Sequence, residues 1–184
     1  MAMQIYLVRH GEAEAGWDVD PDPVLSARGW QQAEAVRDTL VTVGPLPLLS
    51  SPLRRAQQTA QPLAQAWQIE VGIEPAFREI PAPSHLRMQD RIGWLLSVRN
   101  LDWSQADADL WRWRNAIVRQ LVSLQSPVIV FTHFMVLNLV AALASGRSQL
   151  VHYQPANGSI LTITVDAGSF SVLDWGKEAA TRVL

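Results

Sequence analysis

With 184 residues, 48% of them apolar and 17% charged, the chain is long enough to bury a substantial core and too apolar for wholesale disorder. A net charge of −2 gives no basis for non-specific nucleic-acid binding, and the lack of cysteine excludes disulfides, thiolate catalysis and cysteine-ligated zinc. Met1 to Val8 lacks the basic start and long apolar run of a signal peptide, and the longest apolar stretch, Val136 to Ala144, is far short of a bilayer span. A soluble, cytoplasmic protein with no membrane partner is the expectation.

Met3 to Val8 is short, apolar and β-branched and ends at a charged loop, which predicts a buried strand. Ser26 then suits an N-cap, with Trp30, Ala33, Val36 and Leu40 on one helical face and Gly44-Pro45 as the stop. Leu46 to Ser50 reads as a second strand. Pro52 opens a helix carrying Leu53, Ala56, Ala60 and Leu63, which Pro62 should kink or shorten.

Ile69 to Ile73 is a third strand candidate, followed by a proline-rich loop, and Ser84 to Asn100 is assigned helix on poor periodicity. Leu110, Trp113, Ile117, Leu121 and Leu124 define an amphipathic helix that Pro127 ends. Val128 to Thr132 is apolar on both faces, as a central parallel strand must be, and Phe134 to Ala144 is a buried helix. Ser159 to Val165 and Ser169 to Leu173, joined through Asp166-Ala-Gly168, form an antiparallel pair. The alternation predicts an α/β fold in one domain, 1–184: a three-layer α/β/α sandwich with a mostly parallel central sheet and an antiparallel edge.

Polar groups cluster at three predicted strand ends, where open α/β sheets bind ligands. The first delivers Arg9-His10-Gly11-Glu12, the second Ser50 to Ala56 with Arg54 and Arg55, and the central strand Thr132-His133. A neutral imidazole offers a nucleophilic lone pair at physiological pH without a metal, and arginine forks match phosphate oxygens. Gly11 is expected to let the backbone bend tightly beside His10. No histidine pair has metal-ligand spacing, so neither a metal nor another cofactor is implied.

These pieces resemble the histidine phosphatase superfamily, also called phosphoglycerate mutase-like. The resemblance is carried by Leu7-Val-Arg-His-Gly-Glu-Ala13, Ser51-Pro-Leu-Arg-Arg-Ala-Gln-Gln-Thr-Ala60, Phe77-Arg-Glu-Ile80, Val130-Phe-Thr-His133 and Asn157-Gly-Ser-Ile160, in the family's order. It implies the phosphoglycerate mutase-like fold and a phosphatase in which His10 attacks phosphorus to give a phosphohistidine. Arg9, Arg55 and His133 would hold the phosphoryl oxygens with His10, and Glu79 would protonate the leaving alkoxide. Arg54, His85 and His152 match no functional position.

The substrate class this implies is a small phosphomonoester or a protein phosphohistidine. A phosphoglycerate mutase-type phosphotransferase and a catalytically silent phosphate-binding module are the alternatives. The match departs from the family in two places: the loop reads Ala13-Glu-Ala-Gly16-Trp17, losing a phosphate-holding side chain, and Phe134 replaces the usual small residue after the second histidine. A second reading of Glu79, a salt bridge to Arg78, stays open. So do two readings of the Arg- and Trp-rich segment 84–114, as a cap over the pocket or as core tryptophans beneath a solvated arginine face.

Overall fold

The computed structural model describes residues 2–178. Among them, six strands form one sheet: β1 (Met3–Arg9), β2 (Leu48–Ser50), β3 (Val71–Ile73), β4 (Val128–Thr132), β5 (Ile160–Asp166) and β6 (Ser169–Asp174), in the order β3-β2-β4-β1-β5-β6. The first four are parallel and β5 and β6 are antiparallel. Five α-helices accompany them: α1 (Ala27–Leu40), α2 (Arg54–Trp67), α3 (Arg91–Val98), α4 (Ala108–Ser123) and α5 (Phe134–Ser145).

Because side chains alternate across a strand, the sheet feeds two separate cores. Ile5, Leu7, Val128 and Val130 pack with α3, α4 and α5 on one face. Val8, Ile129 and Phe131 pack with α1 and α2 on the other. The expected three layers and antiparallel edge are both present. β4 is buried along its whole length, as a strand with helices on both faces requires.

Several local expectations hold in detail. Ser26 caps α1, accepting the Gly29 N–H at 3.0 Å. The β5–β6 turn uses two positive φ angles, at Ala167 and Gly168, as a two-residue hairpin demands.

Others are corrected. β2 and β3 are three residues each, beginning at Leu48 and Val71, so only the parts that pair with a neighbour are strand. Pro62 does not shorten α2, which runs on to Trp67 and ends at Gln68 in a left-handed conformation. The segment 84–100 is helical only over Arg91–Val98, after a short 3₁₀ turn at Met88–Asp90.

Gly11 has no left-handed φ. It is needed instead for close approach, since a Cβ there would lie 2.5 Å from the Gly29 carbonyl oxygen. One on Gly29 would lie 2.1 Å from the Glu12 carbonyl oxygen.

Candidate active site

Register brings the three polar strand ends to one level. Arg9 pairs with Thr132 across β1 and β4, and Ser50 pairs with Phe131 across β2 and β4. The next residues follow suit: the His10 N–H bonds the Thr132 carbonyl at 3.0 Å, and the Ser51 N–H bonds the Phe131 carbonyl at 2.9 Å. The first turns of α2 and α5 begin directly beyond.

Arg9, His10, Arg55 and Glu79 converge on one hollow, closed by Trp17, Leu95 and Phe134, with a volume of about 20 Å³. That space holds roughly one water. His133 is fully buried and stands edge-on to the His10 ring at 5.2 Å, but it is not among the side chains lining the hollow.

His10 is locked from both sides. Its Nδ1 lies 2.6 Å from the Gly11 carbonyl oxygen, which can only accept, so Nδ1 carries the proton. Nε2 keeps its lone pair and accepts the Arg55 Nε–H at 3.1 Å. Burial, then the charges of Arg55 and Arg9, hold the imidazole pKa well below its usual range, so the ring is neutral at physiological pH.

The two arginines are buried and fixed. Arg9 donates to the Pro155 carbonyl at 2.7 Å and lies over the Phe134 ring at 5.1 Å, so the bulky Phe134 braces a cation. Burial lowers the Arg9 pKa to about 10, which leaves it charged at pH 7. Arg55 reaches Asp22 at 4.0 Å, and the Asp22 carboxylate also accepts the Arg54 N–H at the start of α2. Arg54 itself faces solvent.

Glu79 is held by its neighbours' backbone. Thr132 Oγ1 donates to the Phe77 carbonyl at 2.8 Å, and Trp113 Nε1 donates to the Arg78 carbonyl at 3.0 Å. The Glu79 carboxyl accepts the Ile80 N–H at 2.9 Å and the Met135 N–H at 3.5 Å, the latter from the first turn of α5. Burial raises its pKa, against the opposing pull of those hydrogen bonds and of Arg55 and Arg9. It forms no salt bridge with Arg78 among the described residues. The α5 N-terminus, expected to serve an anion through His133, therefore also faces Glu79.

Sequence reasoning passed over four contributors. Ser51, quoted within a motif, shares a 2.7 Å hydrogen bond with His133 Nε2 and accepts the Leu53 N–H. Thr59 links the pieces, accepting the Gly11 N–H and donating to the Arg55 carbonyl. Asn157 holds the His10 carbonyl at 3.1 Å. Trp17 comes from the divergent loop and carries no pattern that would have marked it. Glu12, inside the Arg-His-Gly-Glu run, points away to Ser26 and Arg28 and ties the loop to α1.

The 84–114 segment divides between its two readings. Trp103 and Trp113 belong to the core, whereas Leu95 lines the hollow and Trp94 packs against Trp17 at 6.4 Å. His85 and His152 lie outside the hollow's lining. Among the described residues, no group of three or more His, Cys, Asp or Glu is placed to hold a metal ion, and no helix is long and apolar enough to cross a membrane.

A sheet of this order, with a locked imidazole at one strand end and arginines gathered from two elements, defines a class. The chain belongs to the histidine phosphatase superfamily (branch 1), whose family model matches residues 5–178. Among curated relatives it is 32% identical over 127 residues to the "probable phosphoglycerate mutase GpmB" of Escherichia fergusonii, covering 66% of this chain and 50% of that one. The Proteus mirabilis protein of the same description is 39% identical over 84 residues, 42% and 38% of the two chains. The chain thus spans half or less of the length of these relatives. Among solved structures, mycobacterial glucosyl-3-phosphoglycerate phosphatase with inorganic phosphate superposes with a TM-score of 0.75 at 22% identity, covering 96% of this chain and 98% of that one. Bacillus stearothermophilus YhfR gives 0.73 at 23% identity, covering 94% and 96%. These two likenesses bear on the fold.

Proposed function

We propose that the protein is a metal-independent phosphatase that hydrolyses a phosphomonoester through a phosphohistidine on His10. The observation that carries this reading is the state of that imidazole: neutral, with Nδ1–H committed to Gly11 and the Nε2 lone pair inside the hollow beside two buried guanidinium groups. Phosphate monoesters resist water so strongly that enzymes supply up to ~10²¹-fold acceleration. Positioning and charge stabilisation supply most of it.

The mechanism follows from the geometry. Arg55 turns from Nε2 to the incoming phosphoryl oxygens, and Nε2 attacks phosphorus in line with the ester oxygen. Arg9 and Arg55 neutralise charge on the equatorial oxygens, and His133, buried one ring behind His10 and outside the hollow's lining, adds a donor once it turns toward the phosphoryl group. Glu79, whose pKa burial raises, gives its proton to the departing oxygen. It then accepts one from the water that attacks the phosphohistidine, releasing phosphate.

A small phosphorylated molecule is the preferred substrate, because a recessed hollow suits a compact phosphoryl group on a slim stem; a protein phosphohistidine is the second candidate. The mutase alternative is favoured by one observation, the similarity to GpmB proteins over part of their length. One experiment separates the readings: incubation with a ³²P-labelled phosphoester, followed by a search for acid-labile, alkali-stable label in wild type and His10→Ala. Label on wild type alone, with free phosphate released, is the expected result. Transfer to an acceptor sugar acid identifies a mutase, and tight phosphate binding without turnover a silent module.

A further inference from the structure

Beside the hollow lies a second cavity of about 380 Å³ that shares two lining residues with it, Trp17 and Glu79. We propose that this cavity is the leaving-group subsite and takes a flat aromatic group bearing a carboxylate. The proposal rests on the phosphatase reading, and three independent features of the cavity support it.

Position comes first. In that reading the proton passes from Glu79 to the ester oxygen, so the leaving group must lie on the Glu79 side of the phosphorus. A larger cavity of about 540 Å³, beside Asp107 and Asp109, shares no residue with the hollow.

Shape is second. Trp17, Trp113, Pro75 and Pro81 give the cavity rigid, flat and largely apolar walls. At this volume it falls within the common range of small-molecule sites, roughly 300–1,000 Å³. Planar rings lose little freedom on entering such a slot, whereas a polyol would surrender its water to surfaces unable to replace those hydrogen bonds.

Charge is third. Arg78 and Arg91 also line the cavity, and neither is paired with a carboxylate among the described residues. The Arg91 guanidinium lies over the Trp17 ring at 5.4 Å, and its Nε is buried without a hydrogen-bond partner. Trp17 thus braces Arg91 while leaving N–H donors unspent, an arrangement that matches a carboxylate fork. Glu79 is the cavity's own acid; its carboxyl oxygens accept from the Ile80 and Met135 N–H groups, and it forms no ion pair with Arg91 among the described residues.

The test uses three primary alkyl phosphates that break the same kind of bond: 4-carboxybenzyl, benzyl and ethyl phosphate. The expected order of kcat/KM is carboxybenzyl above benzyl above ethyl, each step about tenfold or more from a charge-assisted hydrogen bond and a buried ring. Arg91→Leu abolishes the carboxybenzyl-to-benzyl ratio and keeps the benzyl-to-ethyl ratio. Arg91→Lys retains part of the former. Ala116→Trp, which fills the cavity from α4, collapses the benzyl-to-ethyl ratio. Ratios within one variant are insensitive to its folded fraction. Equal rates for all three esters, or a carboxylate advantage that survives Arg91→Leu, overturns the subsite. If no ester turns over, the phosphatase reading fails. Calorimetric titration with 4-carboxybenzylphosphonate and ethylphosphonate then decides: tighter binding of the former upholds the subsite, and equal affinities overturn it.

Discussion

The Nδ1 of His10 sits 2.6 Å from the carbonyl oxygen of the residue that follows it, Gly11. A carbonyl cannot donate, so this contact alone assigns the tautomer and leaves Nε2 as the free base. The Arg55 Nε–H occupies that lone pair and also depresses the imidazole pKa. The same arginine thus restrains the nucleophile and adds to burial in keeping it neutral.

Replacing Arg55 by alanine is expected to lower kcat by about 10³–10⁵, the range for an arginine at a phosphoryl-transfer transition state. Loss of its charge also raises the His10 pKa, because a neighbouring cation disfavours the imidazolium. The acidic limb of the kcat/KM profile should move to higher pH. An unmoved limb would show that Arg55 does not act on His10.

Ser51→Ala removes the hydroxyl that bonds His133 Nε2 and the Leu53 N–H, leaving two buried polar groups short of a partner. A loss of about 1–3 kcal/mol in urea unfolding is expected. A drop in kcat with little change in KM would place the loss in the transition state, as a misdirected His133 predicts.

Glu79→Gln keeps the shape but cannot donate an acidic proton. Turnover of alkyl phosphates should fall by about 10²–10⁴, and that of nitrophenyl phosphate far less, because a good leaving group needs no proton. Equal losses on both substrates would remove Glu79 from the acid role.

Stability should depend on pH through the same groups. Burial depresses the folded-state pKa of both His10 and His133, so below pH 6.5 the unfolded chain binds protons that the folded chain refuses. Stability therefore falls as pH drops from 7 toward 5. The Glu79 pKa is raised, so the folded state takes up its proton first on acidification and Glu79 opposes that loss. Urea midpoints should decline with acid in wild type and more steeply in Glu79→Gln.

Gly29→Ala places a methyl 2.1 Å from the Glu12 carbonyl oxygen, and backbone on both sides prevents an easy escape. Overpacking of this kind costs about 1–3 kcal/mol. Each kcal/mol lowers Tm by about 2–4 °C at this chain length, which thermal melts will register.

Much of this was legible in the chain. The run Val128 to Thr132, apolar on both faces, could only be a central strand, and the alternation around it specified the layers. His10 and Arg9 were marked by position at a predicted strand end, and Glu79 and the choice of Arg55 over Arg54 by the family motif. Strand lengths were less legible, because Leu46 and Ile69 are apolar like their neighbours and only pairing decides where a strand begins. Pro62 misled for a related reason: tertiary packing of Leu63 and Ala64 holds α2 together across a missing hydrogen bond.

Periodicity and local chemistry act over a few residues, so the amino-acid order by itself determined the elements, their layering and the identity of the reactive groups. Orientation came only with the tertiary fold: which nitrogen of His10 holds the proton, that His133 stands behind it bonded to Ser51, and that Trp17 closes the hollow. Those depend on contacts spanning tens of residues, such as Arg55 to His10 and Ser51 to His133. No local pattern encodes the angle at which distant side chains meet; packing of the whole core sets it.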